Sequence, residues 1–210
     1  MVNQNSESAE LNRLLQKAQK GDPQAFEQLF QFYRDTLEQT VALRMDRQLQ
    51  NRIGVSDIIQ DAHMVASRRF HDYLERKPVS FRVWLRQIVQ DQLVMAYRKH
   101  VLVAGRTVRR EIPLPEKSSA ALAEQLITRG PTPSQQAVRK EQIRRVQMAL
   151  EHLAVEDREI LLLRDFEQLS YKEISYVLQI ESAAARKRYG RALIRLGKLV
   201  RDMGLTESQL

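Results

Sequence analysis

The chain has 210 residues, 43% of them hydrophobic and 29% charged, the balance of a globular protein with one large or two small domains. A net charge of +8 and a pI of about 9.9 favour a polyanionic partner, a description that nucleic-acid-binding, ribosomal and membrane-surface proteins share. There is no cysteine, which excludes a disulfide, a thiolate zinc site and a thiol nucleophile. No apolar run approaches the roughly 18 residues that a membrane span needs.

Glycine and proline are scarce and helical patterning is nearly continuous, so the expected fold class is all-α, with two small helical domains joined by a flexible linker. Residues 1–10 are polar and acidic, unlike a signal peptide, and read as an N-terminal tail of a cytoplasmic protein. Leu11, Leu14, Leu15 and Ala18 form a stripe that stops at Gly21, a helix terminator. Asp22-Pro23 then restarts the chain as N-cap and first helical residue. Ala25, Phe26, Leu29, Phe30 and Tyr33, continuing through Leu37, Val41 and Met45, line one face of the next helix, and such an aromatic stripe reads as core.

Ile53-Gly54-Val55-Ser56 breaks the pattern, and Ser56 is expected to cap a helix over residues 57–70. Asp57 and Asp61 lie one turn apart, but no further ligand is spaced to complete a metal site, so neither a metal nor a cofactor is expected. First-turn acids also favour the helix dipole. A polar loop is expected at residues 71–80. Beyond it Phe81, Trp84, Leu85, Ile88 and Val89 mark the inner face of a helix. Between Arg82 and Arg110 stand seven Lys or Arg and one acid, Asp91. Basic residues interleaved with Trp84 and Tyr97 suit melted nucleic acid, whose exposed bases stack on aromatic faces, although Trp84 reads first as core. Pro113-Leu114-Pro115 ends the region, giving a first domain at residues 11–105 and a linker at 106–132 with a short helix over 120–127.

The second domain, residues 133–203 with a tail at 204–210, opens on the capping box Thr132-Pro133-Ser134-Gln135. Its first helix is expected to bury Ile143, Val146, Leu150 and Leu153; a second, over 156–166, carries Ile160, Leu161 and Leu163. Ser170 and Glu173 have capping-box spacing, and Leu169 and Ile174 stand where a hydrophobic staple closes the same turn. That helix buries Ile174, Val177 and Leu178. After Gln179-Ile180-Glu181, Ser182 is expected to cap a helix whose residues 182–201 include seven basic side chains and no acidic one. Two helices, a tight turn and a basic second helix read as a helix-turn-helix in a four-helix domain. Gln179 stands where such a turn has Gly for its left-handed residue, which predicts a strained or remodelled turn.

Taken in order, these segments resemble the small two-domain bacterial RNA polymerase sigma factors of the extracytoplasmic-function (ECF) group. Asp57-Ile58-Ile59-Gln60-Asp61 is similar to the family's Asp-Leu-Val-Gln-Glu segment, and Phe81-Arg82-Val83-Trp84-Leu85-Arg86-Gln87-Ile88 to its Phe-Arg-x-Trp-Leu-x-x-Ile signature. Asp157-Arg158-Glu159-Ile160-Leu161-Leu162-Leu163-Arg164 and Leu169-Ser170-Tyr171-Lys172-Glu173-Ile174 resemble the reader of the minus-thirty-five element. The resemblance implies a region 2-like and a region 4-like domain. It implies that Asp57, Ile58, Gln60 and Asp61 bind the clamp helices of the polymerase core. It gives Tyr73, Arg82, Trp84, Arg86, Gln90, Tyr97, Arg98 and Lys99 to the melted minus-ten strand, with residues 73–80 as a base-capture loop and Arg106 to Arg110 threading towards the catalytic cleft. It gives Ser182, Ala184, Arg186, Lys187, Arg188 and Arg191 to the minus-thirty-five element.

Partners would be core polymerase, promoter DNA and an anti-sigma factor, with no membrane insertion and no small-molecule substrate. The extra C-terminal domains of some subgroups are not expected after Leu199. His63 replaces a usual Phe, Asp91 a common Asn and Met95 a common Asp, while Ser182-Ala183-Ala184-Ala185 opens the recognition helix where Thr or Val is frequent. The departures at Asp91 and Met95 and at Ser182 to Ala185 bear on which bases are read. A stand-alone helix-turn-helix regulator is the rival reading, and it leaves the Asp57 segment and the Trp84 signature without a purpose. Four isolated histidines and no cysteine provide no constellation for an enzyme.

Overall fold

The computed structural model describes residues 2–76, 79–100, 116–127 and 136–202, among which all regular structure is helical. The chain divides into two compact units, Met1–Glu111 and Ile112–Leu210. The basic run Arg106, Arg109 and Arg110, the Pro113-Leu114-Pro115 stop, the capping box at Thr132, residues 77–78 of the expected capture loop and the tail at 204–210 lie outside the described residues.

In the first unit, α1 (Val2–Gln19) takes in most of the stretch expected as a tail, since no glycine or proline interrupts it before Gly21. Gly21 ends it at φ +84, where the Asp22 amide reaches back to the Lys17 carbonyl at 3.1 Å. The next helix, α2 (Ala25–Arg44), begins two residues later than expected: Asp22 accepts the Gln24 amide at 2.9 Å in a turn that carries Pro23 and Gln24. Its predicted face is the core, with Ala25, Phe26, Leu29, Phe30, Leu37 and Val41 buried, Met45 buried just beyond, and Tyr33 half-exposed. A single turn, α3 (Arg47–Gln50), is capped by Asp46, whose carboxylate accepts the Leu49 amide at 2.8 Å. Long helices α4 (Val55–Arg76) and α5 (Phe81–His100) complete the unit; α4 packs on α2 and α5, and α1 on α2.

The expected loop at 71–80 is therefore mostly helix. Tyr73 explains why: it is buried, stacks on Trp84 with ring centroids 4.6 Å apart, and donates its hydroxyl to the Val79 carbonyl at 3.1 Å. The last turn of α4 is thereby held against the start of α5.

Among the described residues of the second unit, the four expected helices are joined by the short helix expected in the linker over 120–127, here α6 (Glu116–Ile127), which packs on α7 (Gln136–Glu151) and buries Leu122 and Ala123. Next, α8 (Val155–Leu161) widens into one π-helical turn, Leu162–Phe166, before α9 (Tyr171–Leu178) and α10 (Ser182–Asp202). Val146, Leu150 and Leu153, Ile160 to Leu163, Ile174, and Ala185, Ala192, Leu196 and Val200 from α10 form the core. Ile143, Val177 and Leu178, expected inside, are only half-buried. Wider spacing in the π turn aims Arg164 at the start of α9, where its guanidinium donates to the Leu169 carbonyl at 2.7 Å.

Candidate nucleic-acid and polymerase interfaces

The acidic segment sits at the start of α4. The Asp57 carboxylate reaches back 2.9 Å to the Gly54 amide, so the helix opens at Val55 and Ser56 is not its cap. Asp57, Gln60 and Asp61 are exposed at i, i+3, i+4, and Met64, 44% exposed, prolongs the same face. Ile58 is 1% exposed and supports that face from the core. On the α2 side His63 lies 2.8 Å from Glu27 and edge-on to Phe30 at 4.6 Å, filling with an imidazole the place expected for Phe.

The residues assigned to the melted strand separate into buried and accessible groups. Tyr97 is buried, accepts the Asp46 amide at 3.0 Å and faces the Arg44 carbonyl, tying α5 to the end of α2. Burial pushes its phenol up to about 12, as it does that of Tyr73, where Tyr33 adds to the effect. Neither ring is an open stacking platform. Arg86 is also buried, whereas Arg82, Trp84 and Gln90 are half-buried. Arg98 and Lys99, at the end of α5, are exposed. Trp84 belongs to a cluster with Phe70, Tyr73 and Phe81 and keeps one part at the surface.

The helix-turn-helix takes the form its sequence prescribes. Ser170 accepts the Glu173 amide at 3.3 Å, and the Glu173 carboxylate accepts the Ser170 amide at 2.9 Å. Leu169 and Ile174 are both fully buried beneath this cap. Gln179 does adopt the left-handed conformation, φ 54 and ψ 44. The turn is held by the Ile180 amide, 3.0 Å from the Ser175 carbonyl, and by the Gln179 side chain, which donates to the Tyr176 carbonyl at 2.6 Å. Left-handed backbone in a residue other than glycine costs about 1–2 kcal/mol, which these bonds offset.

Ser182 is the first residue of α10 rather than its cap; the Glu181 carbonyl accepts the Ala185 amide at 2.9 Å. Ala185 is buried, so the helix presents Ser182, Ala184, Arg186, Lys187 and Arg191 outward, with Arg188 half-exposed. Only part of the basic run is available to a ligand. Arg195 is bound 2.6 Å from the buried Asp157, fastening α10 to α8. Sequence reasoning gave Arg195 no structural task, because nothing local marks a pair 38 residues apart. Tyr189 was likewise missed: its hydroxyl donates to Asp165 at 3.0 Å, and burial, then that carboxylate, push its phenol up to about 12. Among the described residues no group of three or more His, Cys, Asp or Glu could hold a metal ion, and no helix is long and apolar enough to cross a membrane.

A capped helix-turn-helix with an outward basic helix is the form taken by units that lay their second helix in a major groove. Residues 143–196 match the family Sigma-70, region 4. Over 184 residues, 88% of its length, the chain is 28% identical to the probable RNA polymerase sigma factor RfaY of Xanthomonas campestris pv. campestris, and spans 42% of that protein. Over 191 residues, 91% of its length, it is 24% identical to the RNA polymerase sigma-H factor of Pseudomonas aeruginosa, and spans 94% of that protein. The region 4 match lies in the second unit, and the similarity to the two sigma factors extends into the first.

Proposed function

We propose that this chain is an ECF-type sigma factor that binds RNA polymerase core, recognises a promoter in two places and contributes no chemistry of its own. The face of Asp57, Gln60 and Asp61 docks on the core, with Ile58 holding it from beneath. Around the exposed edge of Trp84, with Arg98 and Lys99 about four turns further along α5, the first unit handles the separated minus-ten strand; Tyr73, Tyr97 and Arg86 shape that surface from inside. The minus-thirty-five duplex meets the start of α10, where Arg186, Lys187, Arg188 and Arg191 supply phosphate and base contacts, an Arg on guanine contributing about 1–3 kcal/mol of discrimination. Sigma factors act as non-catalytic initiation factors, and a cytoplasmic site of action and control by an anti-sigma factor accord with this reading.

The observation that carries the proposal is the outward basic start of α10 on a helix-turn-helix closed by the Ser170–Glu173 cap. Its test mixes the purified chain with polymerase core, follows comigration on gel filtration and then assays run-off transcription from sheared genomic DNA. Comigration with discrete transcripts is expected. Tight duplex binding by the chain alone, with no core complex, would contradict it.

A further inference from the structure

Tyr171, the first residue of α9, lies at the crossing of the two helices and carries two cations. The guanidinium carbon of Arg164 is 4.9 Å from the centre of its ring, and that of Arg186 is 5.2 Å away. The ring itself is fixed from a third side by Tyr189, edge-on at 6.0 Å, which is anchored in turn by its hydroxyl on the buried Asp165. Arg164 has little freedom, since the Leu169 carbonyl holds it at 2.7 Å. Arg186 is exposed and is the first basic residue of the recognition helix. Both guanidiniums are drawn to the same electron-rich ring and repel each other, so with Arg164 pinned the repulsion falls on Arg186 and biases it outward.

Resting on the sigma-factor reading above, we infer that Tyr171 is a positioning residue for minus-thirty-five recognition: its ring orders the Arg186 side chain before DNA arrives. Arginine loses much rotamer freedom when it is immobilised on a base or phosphate, and a ring that has already restricted it removes part of that loss. The capping box serves the same end, because the turn closed by Ser170 and Glu173 sets the direction of Tyr171, the first residue after Ser170. Tyr171 thus acts through Arg186 and makes no base contact of its own.

The test uses the full chain bound to polymerase core and a duplex covering the upstream half of the strongest promoter recovered by run-off transcription. Arg186→Ala is expected to weaken binding about ten-fold. Tyr171→Leu should weaken it about two- to five-fold, the size of an exposed cation–π contact, while Tyr171→Phe, which keeps the ring, should bind as the parent does. Adding Tyr171→Leu to Arg186→Ala should change nothing further. An equal loss from Tyr171→Leu in both backgrounds would overturn the inference, as would a Phe variant as weak as the Leu variant, which would make the hydroxyl itself the contact.

Relaxation of the Arg186 Nε–H group by NMR asks the same question of the free protein. Restricted motion in the parent and Phe variant, released in the Leu variant, is expected; unrestricted motion in the parent would contradict the inference alone. A parent holoenzyme that binds no promoter duplex while Arg186 stays restricted would instead fail the sigma-factor reading and take the recognition role of Tyr171 with it.

Discussion

The two units use the same residue types in opposite ways. In the first, three of the eight residues assigned to a single strand have gone inside: Tyr73 and Tyr97 are buried with their hydroxyls engaged, and Arg86 is buried as well. In the second, the basic residues expected to meet DNA stay on the outside of α10, and Arg195, which was not among them, is exposed but held by Asp157. The contrast has a geometric cause. Helix α5 runs through the interior of its bundle, with Phe81, Val83, Leu85, Ile88, Val89, Leu93, Val94 and Ala96 all buried, so half of its twenty residues are shut off from solvent. On α10 only Ala185, Ala192, Leu196 and Val200 are buried, which leaves most of the circumference for other work.

Substitutions that treat the two helices alike should therefore have unlike effects. The largest effect is expected from Tyr73→Ala. Removing a buried ring stacked on Trp84 should destabilise the first unit by about 3–5 kcal/mol, read by urea denaturation, before any DNA is added. A Tyr73 that served only as a surface platform would unfold no more easily when truncated. Next comes a pair one turn apart. Arg195→Ala leaves the Asp157 carboxylate buried without its cation and should cost about 1–2 kcal/mol, whereas Arg191→Ala, exposed, should stay within about 0.5 kcal/mol. Equal costs would mean that α10 is not divided between fold and ligand.

Alkaline pH sharpens the comparison within the first unit. Burial raises the Tyr97 phenol from 10.0 to about 12, so the folded state favours the protonated form. Its contribution to stability is complete below pH 10 and is lost as the pH rises through about 12. Tyr97→Phe should make the denaturation midpoint less sensitive across that window, at a cost near neutrality of about 1 kcal/mol for the hydrogen bond from the Asp46 amide. The smallest effect is expected from Gln179→Gly. Relief of the left-handed backbone, less the added freedom of the unfolded chain, should stabilise the second unit by about 0.5–1 kcal/mol in thermal unfolding. A loss would show that the Gln179 side-chain bond to the Tyr176 carbonyl outweighs the backbone cost.

What could be read from the sequence was what nearby residues decide. The cap at Ser170 and Glu173, the staple at Leu169 and Ile174, the left-handed Gln179 and the stripe from Ala25 to Met45 all depend on neighbours within a turn or two. Boundaries set by a competing local bond shifted by a residue or two, as when Asp57 rather than Ser56 closed the start of α4. Contacts between distant segments left no such trace. Nothing near Tyr97 announces Asp46, 51 residues away, so a tyrosine amid basic residues read as a platform. The π turn that aims Arg164 at Tyr171, and the packing of α6 on α7, likewise emerge only once the helices are assembled.

The division of labour between the units is the central claim, and one comparison tests it directly: core binding by gel filtration and promoter-dependent transcription, measured side by side for Asp61→Arg and Arg186→Ala. Asp61→Arg should lose core association while keeping its helical circular dichroism, and Arg186→Ala should bind core as the parent does and transcribe poorly. Loss of core binding in Arg186→Ala, or parental affinity in Asp61→Arg, would contradict the account.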